Sequence, residues 1–466
     1  MKQLRPIEAR SPVNAYLIGA YYMPNWQTGA AGLSFSGLTW ETLNSYPLAQ
    51  PMKGRYHHEG QTALMEEQLA ECIRHGIGFL AFDWYHNETT GKPGQVLLNH
   101  ALDAYLQADA RLRSRVKFCV NWITHSGFTP ASETEWEACY ENWASTYFTH
   151  PDYLRIDGRP VVWVFETDQA RKNAAGISDR FLSFGNMERA VTVDHTTDQI
   201  TITDGGGASP LVGTADWPAT GRSIQFRMGT TVPTGLTDQK KYYSIKVSQY
   251  VGKLANTQNE ALAGTAVTFS DNGTGSHKIR LGLQWTTLRS HAYIYDKMGD
   301  YCESQGLPRP YIVLGGAYPV PFWASEYLAA GADACSPYNW PGGYNPATNS
   351  ETFPPYPEEY EDLASAYEAN ILWNLRNQSV DHIPCLCTGW DNTPWGGLSE
   401  RVAIGSLGEI RDHFRRVRAL MDAFPQKCRR MAIINAWNEY GEGGYAEPSV
   451  RYGRGVLEAV REVFAS

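Results

Sequence analysis

Eight short apolar runs recur along this chain, each ending in polar or aromatic side chains. They cover residues 16–23, 77–84, 116–122, 160–166, 311–317, 332–338, 383–390 and 431–437. Between them, apolar residues recur at helical spacing over 61–75, 98–112, 135–148, 286–305, 324–330, 358–376 and 407–424. A run too short for a buried helix and apolar on both faces reads as a parallel strand, covered by the helices that follow it. Eight such units predict an α/β chain folded as a (β/α)8 TIM barrel. That architecture needs about 250 residues, and the 466 present leave room for an addition.

In such a barrel the site lies at the C-terminal ends of the strands. Those ends carry Tyr21-Tyr22 with Trp26 shortly after, Asp83-Trp84, Asn121-Trp122, Glu166, Tyr318, Tyr338 with Trp340, Trp390-Asp391, and Trp437-Asn438. Polar groups are costly to bury without partners. Any one of these termini is as well explained by a hydrogen-bonded core group. All of them together favour a cleft, and each of these residues is a candidate for binding substrate.

The last strand runs into the most informative loop, where Glu439, Glu442 and Glu447 fall among Gly441, Gly443 and Gly444. A glycine-rich loop can aim several acids at one point. Two carboxyl groups beside aromatic rings are what glycosidic cleavage needs, one to protonate the leaving oxygen and one to manage the sugar cation. Glu442 is expected as general acid/base, with Trp437 and Tyr440 desolvating it, and Glu439 as nucleophile or assisting base. Glu447, held before Pro448, is expected to fix the loop or bind a hydroxyl. Asp83, Glu166 and Asp391 are alternatives for either catalytic role. The bland reading is an acidic surface loop, and the strand leading straight into it argues against that.

Residues 184–282 break the rhythm. Alternating stretches such as Ala190-Val191-Thr192-Val193-Asp194 and Gln199-Ile200-Thr201-Ile202-Thr203 are separated by turns such as Asp204-Gly205-Gly206-Gly207. This predicts a small all-β module inserted after strand 4, near the rim of the cleft, dividing the barrel into halves at 1–183 and 283–466.

Composition narrows the function. A net charge of −9 with no basic run argues against nucleic acid. No run of about 18 apolar residues predicts a membrane span, and the N-terminal stretch has no signal-peptide core. A product made in the cytoplasm is therefore expected. The eight cysteines follow no zinc spacing and read as buried thiols. The histidines, among them His57, His58 and His86, show no metal-binding pair. Neither metal nor cofactor is expected. Fifteen Trp and 27 Tyr suit a sugar cleft, whose walls are stacking platforms.

With these residues in view, the barrel portion resembles the glycoside hydrolase family 99-like group, which includes the WbsX-type proteins of polysaccharide gene clusters. The resemblance rests on Gly19-Ala20-Tyr21-Tyr22-Met23-Pro24-Asn25-Trp26, His150-Pro151-Asp152-Tyr153-Leu154 with Gly158-Arg159-Pro160-Val161, and Gly389-Trp390-Asp391-Asn392-Thr393-Pro394. It is strongest at Ala436-Trp437-Asn438-Glu439-Tyr440-Gly441-Glu442-Gly443 with Glu447-Pro448. It implies a TIM barrel and retaining hydrolysis of a polysaccharide or oligosaccharide. It further implies Glu439 as the group assisting the sugar 2-hydroxyl and Glu442 as the general acid/base. Between those acids this chain has Tyr440-Gly441, where the characterised hydrolases have a Trp-His-like pair. The inserted region, through Val232-Pro233-Thr234-Gly235-Leu236-Thr237-Asp238 and Asp271-Asn272-Gly273-Thr274-Gly275, resembles small β-modules of phage tail and adhesin proteins. That implies association with a phage particle and action on bacterial surface glycans.

The expected function is a glycoside hydrolase whose partner is a carbohydrate. Homo-oligomer contact or virion attachment would fall to the β-module. Two rivals remain: a non-catalytic glycan-binding barrel, and a glycosyltransferase or transglycosidase. The last would need a phosphate cradle or an Asp-x-Asp metal pair, which the chain does not display.

Overall fold

The computed structural model describes residues 16–29, 39–86, 96–124, 128, 130, 133–165, 188–203, 217, 220–221, 223–227, 229–238, 240–281, 285–315, 331–338, 343–345, 350–352, 359–396 and 402–465. Four parallel strands come first: β1 (Leu17–Tyr22), β2 (Ile77–His86), β3 (Lys117–Ile123) and β4 (Arg159–Phe165). Six strands of a separate sheet follow: β5 (Glu188–Asp194), β6 (Gln199–Ile202), β7 (Ser223–Arg227), β8 (Lys241–Lys246), β9 (Val251–Ala255) and β10 (His277–Leu281). The parallel series resumes with β11 (Tyr311–Gly315), β12 (Ala334–Cys335), β13 (Asp381–His382), β14 (Cys385–Cys387) and β15 (Met431–Asn435).

The parallel strands lie in the order β13-β12-β11-β4-β3-β2-β1-β15-β14. β13 and β14 are two parts of one run interrupted at Ile383-Pro384. The first part pairs with β12 and the second with β15, which closes the cylinder. Proline cannot donate a ladder hydrogen bond, but the Pro384 carbonyl still accepts from Ile433 N at 2.9 Å. Eight strand positions therefore close into the expected (β/α)8 barrel. The sixth is shorter than the sequence suggests, with only Ala334–Cys335 in ladder geometry.

Helices α1 (Thr62–His75), α2 (His100–Gln107), α3 (Glu133–Asn142), α4 (Trp285–Ser304), α5 (Tyr360–Asn377), α6 (Leu407–Ala423) and α7 (Gly455–Phe464) alternate with the strands. α6 begins in a capping box, Ser406 with Glu409, that satisfies its first backbone N–H groups. α1 stops at Gly76, whose φ of 85° is open to a residue without a β-carbon. The helical pattern at 324–330 lies outside the described residues.

Strand alternation sorts the side chains. Phe79, Trp163 and Tyr21 pack on one another inside the barrel, with ring centroids 5.9 Å and 6.1 Å apart. Phe79 fills its level so completely that a β-carbon at Gly19 would meet its ring at 2.2 Å. The residues between them face the helix layer. All eight cysteines are buried and unpaired with one another. The second sheet is a closed antiparallel barrel in the order β8-β9-β6-β5-β10-β7. Ile200, Ile224, Phe226, Leu254 and Ile279 fill it, with every second residue of β6 and β7 turned inward. Among the described residues no helix is long and apolar enough to cross a membrane.

Candidate active site

One carboxyl cluster gathers at the C-terminal mouth of the barrel. β2 delivers Asp83 on its inward face, and β3, in register, delivers Asn121 beside it. The Asn121 amide donates to Asp83 Oδ1 at 2.7 Å, and the Tyr85 hydroxyl reaches Oδ2 at 3.5 Å. Asp83 is buried, and that burial pushes its carboxyl up to about 8. The Asn121 and Tyr85 hydrogen bonds act in the opposite direction, and the nearby Glu442 charge adds to the rise.

After β15 the chain folds into a small hairpin of β16 (Asn438–Glu439) and β17 (Gly444–Tyr445). Glu439 is 4% exposed, and its Oε2 accepts from the Tyr338 hydroxyl at 3.5 Å. Burial raises its carboxyl well above the usual range. The charges of Glu442 and Asp83 add to this, and the Trp395 indole offsets part of it. Oε1 of Glu439 and Oδ1 of Asn121 are buried without a protein partner. Buried acceptors of this kind are satisfied by water or by a ligand. Glu442 is half-buried and follows on the same loop, its N–H bonded to the Glu439 carbonyl at 3.2 Å.

The loop's shape depends on two glycines. Gly443 has φ of 75°, and a β-carbon there would lie 2.6 Å from Asp391 N, which donates to the Glu442 carbonyl. A β-carbon at Gly441 would stand 2.0 Å from Cε2 of Trp395. Trp395 in turn stacks on the buried Trp26, with centroids 5.5 Å apart and planes 11° apart. Trp395 was not foreseen, since one aromatic in a Thr-Pro-Trp-Gly turn gives little signal.

The remaining candidates separate by direction. Tyr21 points inward, meets the Tyr338 ring at 5.0 Å with planes tilted by 54°, and donates to the Pro337 carbonyl at 3.0 Å. Tyr22, Trp84 and Trp122, expected at the cleft, instead pack outward. Tyr22 donates to Gln68 of α1 at 2.9 Å, Trp84 meets Trp143 at 5.0 Å, and Trp122 stacks on Trp136 at 4.8 Å. The physical reason is the two-residue strand period, which turns one member of each adjacent pair to the helices. Trp390 is buried, and Asp391 accepts from Thr393 of its own turn at 2.6 Å. Glu166, Tyr318 and Trp340 lie outside the described residues.

A second buried network stands beside the cluster. Glu59, fully enclosed, accepts from Trp26 N at 2.8 Å and from the Asn438 amide at 2.6 Å. Asn438 also exchanges two hydrogen bonds with the Met23 backbone, and the Trp26 indole donates to the Asn438 carbonyl at 2.6 Å. Asn438 and Trp26 thus fasten the hairpin to the end of β1. Tyr440, expected as a wall for Glu442, turns its hydroxyl to Glu447 at 2.9 Å. Trp437 is fully buried. Of the expected catalytic pair, Glu439 is therefore more enclosed than Glu442. Nothing in the sequence around Glu59 distinguishes it from a solvated turn acid. Among the described residues no cluster could hold a metal ion.

Residues 344–460 match the family model described as Glycosyltransferase WbsX. This closing segment is WbsX-like. The WbsX-like segment contains the Gly389–Pro394 and Ala436–Pro448 motifs, and so Asp391, Glu439, Glu442 and Glu447. Over 80 residues the chain is 36% identical to the uncharacterized protein WxcX of Xanthomonas campestris pv. campestris, in strains B100 and ATCC 33913. That stretch is 17% of this chain and only 12% of the length of those relatives. Among solved structures, a GH99 endo-alpha-mannosidase from Bacteroides thetaiotaomicron in complex with BIS-TRIS-propane is similar at a TM-score of 0.48 and 12% identity, over 96% of this chain and 95% of that one. A family 1 β-glucosidase from Thermotoga maritima is similar at 0.40 and 10% identity, over 96% and 97%. The fold itself rests on the strand order given above.

Proposed function

We propose that the chain is a glycoside hydrolase acting on a polysaccharide or oligosaccharide, with Glu439 and Glu442 as the working carboxyl pair. The observation that carries this reading is the Glu439 carboxyl, enclosed at the barrel mouth with one oxygen unpartnered and Glu442, Asp83 and Glu59 within electrostatic reach. Burial and the neighbouring acids favour the protonated form of such a group, which is the form that donates to a leaving glycosidic oxygen. Glu442, the less buried of the two, is the better suited to carry charge. The physical argument therefore assigns the proton in the resting cleft to Glu439, the reverse of the order implied by the resemblance. Asp83 with Asn121 would bind a sugar hydroxyl, and Tyr338 would orient Glu439.

Release of reducing ends from bacterial surface polysaccharides tests the activity. E439Q and E442Q should each lower kcat by about 10²–10⁴-fold. On an aryl glycoside with a good leaving group, the variant lacking the proton donor is spared and the other is not. Unchanged turnover in both variants would discard the reading. The description of the matching family model favours a second reading, a glycosyltransferase. Turnover that requires a nucleotide sugar would select it.

A further inference from the structure

Glu447 and Trp437, singled out in the sequence, are not absorbed by the carboxyl cluster. Both border a separate cavity of about 310 Å3 between α1 and the 51–56 loop. Asp83, Asn121, Tyr338, Glu439 and Glu442 do not line it. We propose that this cavity is a second saccharide site, which takes one neutral, hydroxyl-rich ring.

Three features point to that ligand class. Its volume lies at the lower end of small-molecule sites, room for a single ring rather than a chain segment. Its buried polar groups suit hydroxyls. Glu447 is 6% exposed and Gln68 3%, joined by a 2.8 Å hydrogen bond. The Glu447 carboxyl accepts from Gln68 at 2.8 Å and Tyr440 at 2.9 Å and is also approached by the Tyr56 hydroxyl, three donors where its two oxygens can take about four. Tyr56, Met52 and Leu64 supply the apolar and aromatic surface against which the C–H face of a sugar ring packs, with Trp437 beneath.

Three basic residues, Lys53, Arg55 and Arg454, border the cavity against three acids, Glu67, Glu71 and Glu447, a balance that favours a neutral ligand. Lys53 is paired with Glu67 at 2.6 Å and Arg454 with Glu71 at 3.0 Å. Arg55 donates to Asn44 at 2.7 Å and to Gln50 at 3.2 Å. Lys53 and Arg454 are thus paired with carboxylates, and Arg55 is held by two neutral amides. Burial also holds the Glu447 carboxyl up at about 7, which removes part of the demand for a cation. Glu447 bonds to Tyr440, the residue after Glu439, so an occupant of this cavity would touch the loop that carries the working pair.

The inference deepens the proposed function, yet its test reads binding and does not depend on turnover. The full chain is titrated calorimetrically with the methyl glycosides of glucose, mannose and galactose. Leu64→Trp fills the cavity from α1, and Glu439→Gln alters the carboxyl cluster. Expected is weak binding of at least one glycoside that falls about tenfold or more in L64W and persists in E439Q. Ala63→Trp, at an exposed lining position, takes the place of L64W should that variant not fold. Binding that is indifferent to both tryptophan variants overturns the proposal, as does no binding of any of the three. L64W-sensitive binding of methyl glucuronide or glucosamine alone overturns the commitment to a neutral ring. Absence of hydrolysis by the unaltered chain, with this binding intact, would sink the proposed function and leave the second site standing.

Discussion

Trp395 occupies the space that any side chain at position 441 would need, with its Cε2 only 2.0 Å from where a β-carbon on Gly441 would stand. The indole is held there by Trp26 beneath it and reaches the Glu439 carboxyl beside it. Gly441→Ala should therefore displace the indole or the loop, and cost about 1–3 kcal/mol as overpacked sites do. Guanidinium denaturation measures this. W395G should recover most of the loss in the double variant, a coupling that unrelated sites would not show.

Asp83 ties stability to pH. Its folded carboxyl is held at about 8, against 3.8 for the unperturbed group. Between those values the unfolded chain gives up the proton while the folded chain keeps it. Stability contributed by this group is thus complete below the lower value and declines as pH rises toward the upper one. Asp83→Asn should flatten that decline, read as denaturation midpoints at intervals across the window. An unchanged slope would remove Asp83 from the account of the cluster's protonation.

Trp84 faces the helix layer against Trp143. Trp84→Ala should lower stability by about 3–5 kcal/mol, the cost of a deleted core aromatic. Turnover per folded molecule should stay unaltered, checked by titrating active molecules. The conservative Y338F should do the opposite, sparing stability while altering activity, because it removes only the hydroxyl that approaches Glu439.

Asn438 bridges the Met23 backbone and Glu59. Asn438→Ala leaves these buried groups without partners, at about 1–3 kcal/mol for each. Asn438→Asp should be worse at high pH than at low, since it sets a second carboxyl 2.6 Å from that of Glu59. Equal loss at both extremes would show that the amide serves packing alone.

The barrel was legible because its signal is local: apolar runs of strand length alternating with helical periodicity name the element, and eight repeats name the closure. The strand tips were legible too, and the structure brings Asp83, Asn121, Tyr338, Glu439 and Glu442 together from four separate places in the chain. The outward turn of Tyr22, Trp84 and Trp122 was in principle readable from strand alternation, given that Phe79 and Asp83 share a face.

What the chain decided by itself is which elements form and which residues stand at their ends, since backbone period and side-chain polarity act over neighbouring residues. Tertiary structure alone decided the state of each acid. Glu439, Glu442 and Glu447 share one loop, yet one is enclosed beside Asp83, one stays half-exposed, and one borders a different cavity. Glu59, from a turn without distinguishing sequence, joins them. Burial and charge proximity depend on what other segments place around a carboxyl, and no local pattern encodes that.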